Sequence, residues 1–167
     1  MFVLGIDPGL SRCGYGCVEQ RSRRARAVAA GVITTPPAHA VPQRLAELQA
    51  EVRALIAEHR PTVVAVERVL FQVNVRTAMG VGQASGIVMA EAAAAGCDVV
   101  EYSPNEVKSA VAGYGSATKD QMERMVQALL EIDQPLRPVD VADALAVALC
   151  HLAQAPTVAA VAAQGRR

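Results

Sequence analysis

Tryptophan is absent from this chain, and only two Phe and three Tyr occur among its 167 residues. Aromatics make up 3% of a chain that is 52% apolar, so the core has to be built from Val, Ala, Leu and Ile. Long apolar runs are missing too. None reaches the ~20 residues of a membrane-spanning helix, and Met1 leads directly into a strand-like segment with no secretory signal in view. The expectation is a cytoplasmic protein with no membrane partner. The four cysteines (Cys13, Cys17, Cys97 and Cys150) form no C-x-x-C and no zinc-like spacing, which excludes the familiar redox and Cys-based zinc motifs. Four reduced thiols are expected, three of them buried. Net charge is lacking as well: the formal total is zero, so the bulk excess of base that marks many nucleic-acid binders is not there. Lysine is nearly absent, with two (Lys108 and Lys119) against 14 Arg. No internal repeat or second domain is visible, and the length suits one domain with a sizeable core.

What is there is organised around the first nineteen residues, M-F-V-L-G-I-D-P-G-L-S-R-C-G-Y-G-C-V-E. Phe2 to Ile6 is an apolar run of strand length. It closes on Asp7, followed at once by Pro8 and Gly9, which cannot extend a ladder and permit a sharp turn respectively. Gly14 to Val18 reads as a second strand returning beside the first, and Ala25 to Thr34 as a third, making an antiparallel meander. Thr35 to Pro42 holds three prolines and reads as a loop. Gln43 to Glu58 has Leu45, Leu48, Val52, Leu55 and Ile56 at helical spacing. Thr62 to Val66 is an unbroken apolar run of the kind found in doubly covered strands, and it ends on a second acid, Glu67. A helix rich in small residues (Gly80, Gly82, Ser85, Gly86) follows to about Ala95, with Asn74 or Thr77 as its cap. Asp98 to Tyr102 is a fifth strand. Helices are expected at Pro104–Ala112, Lys119–Glu131 and Val139–Leu152, and the tail from Gln154 is expected to be frayed or disordered. The resulting division is a domain at 1–153 and a tail at 154–167.

Four acids have positions that ordinary surface charge does not explain together. Asp7 and Glu67 each close a strand. Asp140 and Asp143 stand three apart on an otherwise apolar helix, V-D-V-A-D-A-L-A, and so share one face. Taken singly, each has a simpler account: Asp7 capping its own turn, Asp140 complementing a helix dipole. Taken jointly they suit a hard divalent cation, Mg²⁺ or Mn²⁺, because all-oxygen ligand sets select such ions. Two ions ~4 Å apart would clamp an in-line displacement at phosphorus. With these acids withdrawn into a site, the remaining surface is basic, Arg21, Arg23, Arg24 and Arg26 forming its densest cluster.

The chain resembles the RuvC Holliday-junction resolvases of bacteria from about Phe2 to Leu152. The resemblance is carried by G-I-D-P-G at 5–9, V-E-R-V at 66–69, G-Q-A-S-G at 82–86, V-K-S-A-V-A-G-Y-G-S-A-T-K at 107–119 and D-V-A-D-A-L-A at 140–146. It implies an α/β, RNase H-like fold: a five-stranded mixed sheet, three strands antiparallel then two parallel, with helices on both faces. It implies a Mg²⁺-dependent endonuclease, with two ions per site and Mn²⁺ able to substitute, that nicks four-way DNA junctions in pairs during recombination and repair. Asp7, Glu67, Asp140 and Asp143 fall on the family's metal-binding acids, and Lys108 and Lys119 on its two basic residues near the site. Some relatives have His where this chain has Asp140. In the loop after Glu67 relatives place Phe third, where this chain has Leu70 and then Phe71. Leu70, Phe71 and Arg76, with Lys108 and Lys119, are the expected DNA contacts. A homodimer through the Gly-rich helix at 77–95 and the branch-migration partners RuvA and RuvB are also implied.

Two other classes compete. An actin-like ATPase opens with a similar strand, Asp and Gly turn, but needs a second Gly-rich phosphate hairpin and a far longer chain. A catalytically silent junction binder would keep the basic surface and lose acids, and all four acids are present.

Overall fold

Val3, Gly5 and Asp7 point to one face of the first strand and Leu4 and Ile6 to the other, the alternation a pleated strand imposes. Everything else in the fold follows from covering both faces. The computed structural model describes residues 1–22, 24–68 and 75–164, with the backbone alone at 75–77 and 156–164. Its elements in order are β1 (Phe2–Asp7), β2 (Arg12–Arg21), β3 (Arg24–Thr34), α1 (Val41–His59), β4 (Val63–Glu67), α2 (Val75–Ala94), β5 (Asp98–Tyr102), α3 (Pro104–Ala112), α4 (Lys119–Leu130) and α5 (Val139–Gln164). The sheet order is β3-β2-β1-β4-β5. The first three strands pair antiparallel, and β4 and β5 are parallel to β1. This is the expected five-stranded mixed sheet with helices on both faces. Among the described residues no helix is long and apolar enough to cross a membrane.

One face is covered by α3, α4 and α5, with Val3, Ala65, Val107, Val126 and Leu145 in its core. The other is covered by α1 and α2, with Leu4, Ile6, Leu48, Val52, Val64 and Val88. Tyr102, from the end of β5, meets His151 of α5 inside the first core; the hydroxyl and Nδ1 are 2.8 Å apart. Cys13, Cys17 and Cys150 are buried and Cys97 is partly so, all four as free thiols.

How closely α5 lies on the sheet is set by missing side chains. A Cβ on Gly5 would come within 2.7 Å of the Ala148 amide nitrogen and nearer still to the Ala144 carbonyl. One on Gly14 would come within 3.1 Å of the Asp140 Cβ. Real contacts do not close to such distances, so glycine at these points is what lets the α5 backbone rest on β1 and β2. The first turn of α5 is thereby brought over the ends of the central strands.

Several boundaries differ from the sequence reading. Pro42, expected in a loop, lies in the first turn of α1, where its missing N–H has no intrahelical partner to lose. The strands β2 and β3 extend further at their hairpin end, where one strand's pairing holds the other's polar residues in register. The helix α2 begins at Val75, so Thr77 lies within it rather than before it; Asn74 lies outside the described residues. The backbone of α5 stays helical through Gln164, past residue 154 where a frayed tail was expected; the alanines there are the strongest helix formers. Thr118 caps α4 as expected, accepting from the Gln121 amide.

Candidate active site

Asp7 and Glu67 are neighbours because of register. Val3 pairs with Val63 and Gly5 with Ala65 across the parallel β1–β4 ladder, so two residues on, Asp7 and Glu67 leave the sheet side by side and on the same face, beneath α5. Their carboxyls share the floor of one cleft, close enough for each to act on the other's charge. Burial, and then the charge of Glu67, push the Asp7 carboxyl up to about 8. Burial raises Glu67 as well, against the opposing pull of its contact with Asp7 and of Lys119 and Lys108. Near neutral pH the pair therefore retains a proton, which is what two adjacent, partly desolvated carboxylates do without a cation between them.

The wall opposite is built by three helices. A cleft of about 340 Å³ is lined by Asp7, Glu67, Pro104, Val107, Lys108, Lys119, Met122, Asp143 and Ala146. Lys108 comes from α3, whose start is fixed by the Ser103–Glu106 capping box. Lys119 is the first residue of α4, set there by Thr118. Its Nζ lies 3.3 Å from Asp143 Oδ2, and that carboxylate raises the Lys119 pKa.

Asp140 stands apart. Its carboxylate is taken by Arg12, the first residue of β2, with Nη2 2.6 Å and Nε 3.2 Å from Oδ2. The guanidinium holds the Asp140 pKa below the usual carboxylate range. Of the nine predicted site residues, the structure thus gathers Asp7, Glu67, Asp143, Lys108 and Lys119 on one cleft and places Asp140 beside it, turned to Arg12. Leu70 and Phe71 lie outside the described residues, and of Arg76 only the backbone, within α2, is described. Arg12 was not singled out by the sequence. Its one visible signal is that it is the only base between Asp7 and the second strand's far end.

In this conformation the four acids are distributed among partners: Asp7 with Glu67, Asp143 with Lys119, Asp140 with Arg12. Among the described residues no group of three potential ligands is drawn together around one point. The donor set nonetheless fits a hard cation. It is all carboxylate, all four members are half-buried, the Asp7–Glu67 pair retains a proton in place of a counter-charge, and the other two sit one helical turn apart beside them. A larger cleft of about 750 Å³, between α1 and α2, lies on the opposite side of the sheet; its one acid, Glu91, is already bonded to Arg53 and Gln49.

Comparison with known proteins bears on the whole of this arrangement. Residues 3–151 match the family model described as crossover junction endodeoxyribonuclease RuvC. The chain belongs to the RuvC family. A relative from Salinispora arenicola is 51% identical over 168 aligned positions, covering 100% of this chain and 96% of the relative. The structure of Thermus thermophilus RuvC superposes with a TM-score of 0.86 at 38% identity, covering 94% of this chain and 96% of that one. The structure of T. thermophilus RuvC in complex with a Holliday junction substrate gives 0.88 at 38% identity, over 93% and 94%. These RuvC structures share the mixed sheet and the helical cover described above.

Proposed function

We propose that the protein is a crossover junction endodeoxyribonuclease: it resolves four-way DNA junctions by paired, symmetric nicks, through metal-dependent phosphodiester hydrolysis, in recombination and repair. The observation that carries this reading is the half-buried Asp7–Glu67 pair facing Lys108, Lys119 and Asp143 across one cleft. A site that is acidic at its floor and basic at its rim suits a phosphodiester approached by divalent ions.

Asp7, Glu67, Asp140 and Asp143 would hold the metal, Mg²⁺ with Mn²⁺ as substitute. Two bound ions would supply an activated water and charge neutralisation at the leaving 3′ oxygen. The chain's own residues do the rest. Asp7 and Glu67 are set side by side by the β1–β4 register, and a bound cation would replace the proton that the pair retains. Lys119 has a compact, strongly hydrated charge at the cleft wall, and Lys108 a second one; both attract and orient the phosphate. Leu70 and Phe71 would hold an opened base step at the crossover, favouring junctions over plain duplex without reading base edges. Arg76 would add a phosphate contact.

The catalytic unit is residues 1–153, acting as a cytoplasmic homodimer whose twofold axis matches that of the junction. Support for α2 as the dimer surface comes from its outer face. Among the described residues, added Cβ atoms at Gly82 and Gly86 would meet nothing within 4 Å, so neither glycine serves packing there, and Met79 on the same face is 61% exposed. RuvA and RuvB are the expected branch-migration partners.

A nicking assay on a synthetic four-way junction and on the matching linear duplex, with and without Mg²⁺, tests the reading. Junction-selective cutting that needs the metal is expected. Asp143→Asn should abolish cutting while leaving junction binding intact, since the phosphate-contacting surface is untouched. Wild-type cutting by that variant would rule out the site.

A further inference from the structure

Arg12 occupies a carboxylate that the metal site needs. It makes a two-pronged contact with Asp140, Nη2 to Oδ2 at 2.6 Å and Nε to Oδ1 and Oδ2 at 3.3 and 3.2 Å. No other side chain hydrogen-bonds that carboxylate among the described residues. The two partners differ in freedom. Asp140 is in the first turn of α5, whose backbone there is pressed against Gly14 of β2, and its side chain is 23% exposed. Arg12 starts β2 at the surface, with 50% of its side chain in solvent. The long side chain can leave; the helix cannot. A guanidinium also fits a phosphate as well as it fits a carboxylate, through the same fork of N–H donors.

Resting on the metal site proposed above, we infer that Arg12 exchanges partners, from the Asp140 carboxylate in the free protein to a phosphate of bound DNA. In the free protein the pair withholds one ligand and places a positive charge where a cation must come. When DNA binds, its phosphate draws Arg12 off, and Asp140 is released to complete the ligand set. Metal loading and DNA binding then favour each other, and by linkage the coupling is the same in both directions. Arg12 is a positioning residue in this scheme: it acts on the metal through Asp140, and on the substrate by direct contact.

Two measurements made without turnover test the exchange. The first is Mn²⁺ binding to DNA-free protein, by calorimetry or by the spin-resonance signal of free Mn²⁺, in the wild type and in Arg12→Gln. The variant should bind Mn²⁺ roughly five- to tenfold more tightly, since an exposed ion pair need no longer be broken and a like charge is gone. The second is junction affinity in EDTA as a function of salt. Arg12→Gln should bind the junction more weakly, with the slope of log K against log salt smaller by about one phosphate contact. Arg12 is half exposed at a strand end, and matching melting curves would confirm that the variant folds. Unchanged or weaker Mn²⁺ binding by Arg12→Gln overturns the inference while leaving the metal site standing. Tighter Mn²⁺ binding with an unchanged salt slope also overturns it, because Arg12 would then guard Asp140 without moving to DNA. If the wild type binds no Mn²⁺ at all, with or without a junction, the metal site itself falls and the exchange falls with it.

Discussion

Lys119 is held where it is by two neighbours of different kinds, the Thr118 cap that starts its helix and the Asp143 carboxylate 3.3 Å away. A chain that uses arginine almost everywhere else uses lysine here, and an ammonium differs from a guanidinium in size, hydration and geometry. Lys119→Arg keeps the charge and should still cut at least about tenfold more slowly, with junction binding in EDTA close to wild type; a tenfold loss corresponds to about 1.4 kcal/mol of transition-state stabilisation. Single-turnover rates on a four-way junction decide it, and full activity would leave Lys119 a source of charge alone. At this scale the candidate site was largely legible: Asp7 and Glu67 were marked by closing apolar runs, Asp143 by standing on an otherwise apolar helix. Arg12 was not legible. Its role depends on which side chain lies across from it, 128 positions away, and nothing local to S-R-C-G encodes that.

Among the elements, α5 and its seat on the sheet decide the site's shape. Gly5→Ala puts a methyl group against the Ala144 carbonyl and the Ala148 amide, atoms of a backbone that cannot turn aside. Overpacking of this kind costs about 1–3 kcal/mol, and more where backbone must shift. For a domain of this length that lowers the melting temperature by about 2–4 °C per kcal/mol, and cutting should fall further than stability does, because displacing α5 carries Asp140 and Asp143 away from Asp7. A melting curve and a nicking assay on the same sample show whether both losses occur. The same helix is tied to β5 through Tyr102 and His151. Burial lowers the His151 pKa from its ordinary 6.5, and the ring keeps its Nδ1 2.8 Å from the Tyr102 hydroxyl. The unfolded chain takes up a proton as pH falls below about 6.5 while the folded one does not, so stability should decline from there until the lowered folded value is passed, and level off below it. Comparing melting at pH 7 and pH 5.5 for the wild type and for His151→Gln, which keeps an acceptor but cannot protonate, should show a flatter profile in the variant. The sequence periodicity found every one of these elements but not their ends. Pro42 looked like a breaker because a first-turn proline and a loop proline have the same neighbours in sequence, and residues 154–164 looked like a tail because alanine gives helix propensity without marking what the helix touches.

For the whole molecule, the outer face of α2 is the surface this chain leaves without an internal purpose. Gly82 and Gly86 stand one turn apart with open space beyond them. If two copies meet there, a charged side chain at the contact is not accommodated. Gly86→Glu should shift sedimentation from dimer to monomer and should leave the monomer folded, since among the described residues nothing packs on that position. Paired nicking of a junction should then give way to single, uncoordinated nicks. The fold as a whole was legible because unbroken apolar runs at 2–6 and 62–66 mark strands covered on both faces: Val3, Val63 and Ala65 lie in one core, and Leu4, Ile6, Val64 and Val66 in the other. For the proposed dimer, the sequence offers only an excess of small residues in α2.

The scarcity of lysine has a practical corollary. The only two lysine side chains in the chain both line the cleft, and the one other amine, at Met1, is bonded to the Gln20 carbonyl. A mild acylating reagent that labels amines therefore reaches lysine only at the cleft, with the exposed Met1 amine as a separate background position. Label uptake at Lys108 and Lys119, read by peptide mass mapping, becomes a gauge of cleft occupancy: two reactive lysines when the cleft is open, fewer when a nucleic acid lies across it. No fluorophore, tag or engineered cysteine is needed to follow binding, because the amino-acid composition has already made the site chemically unique.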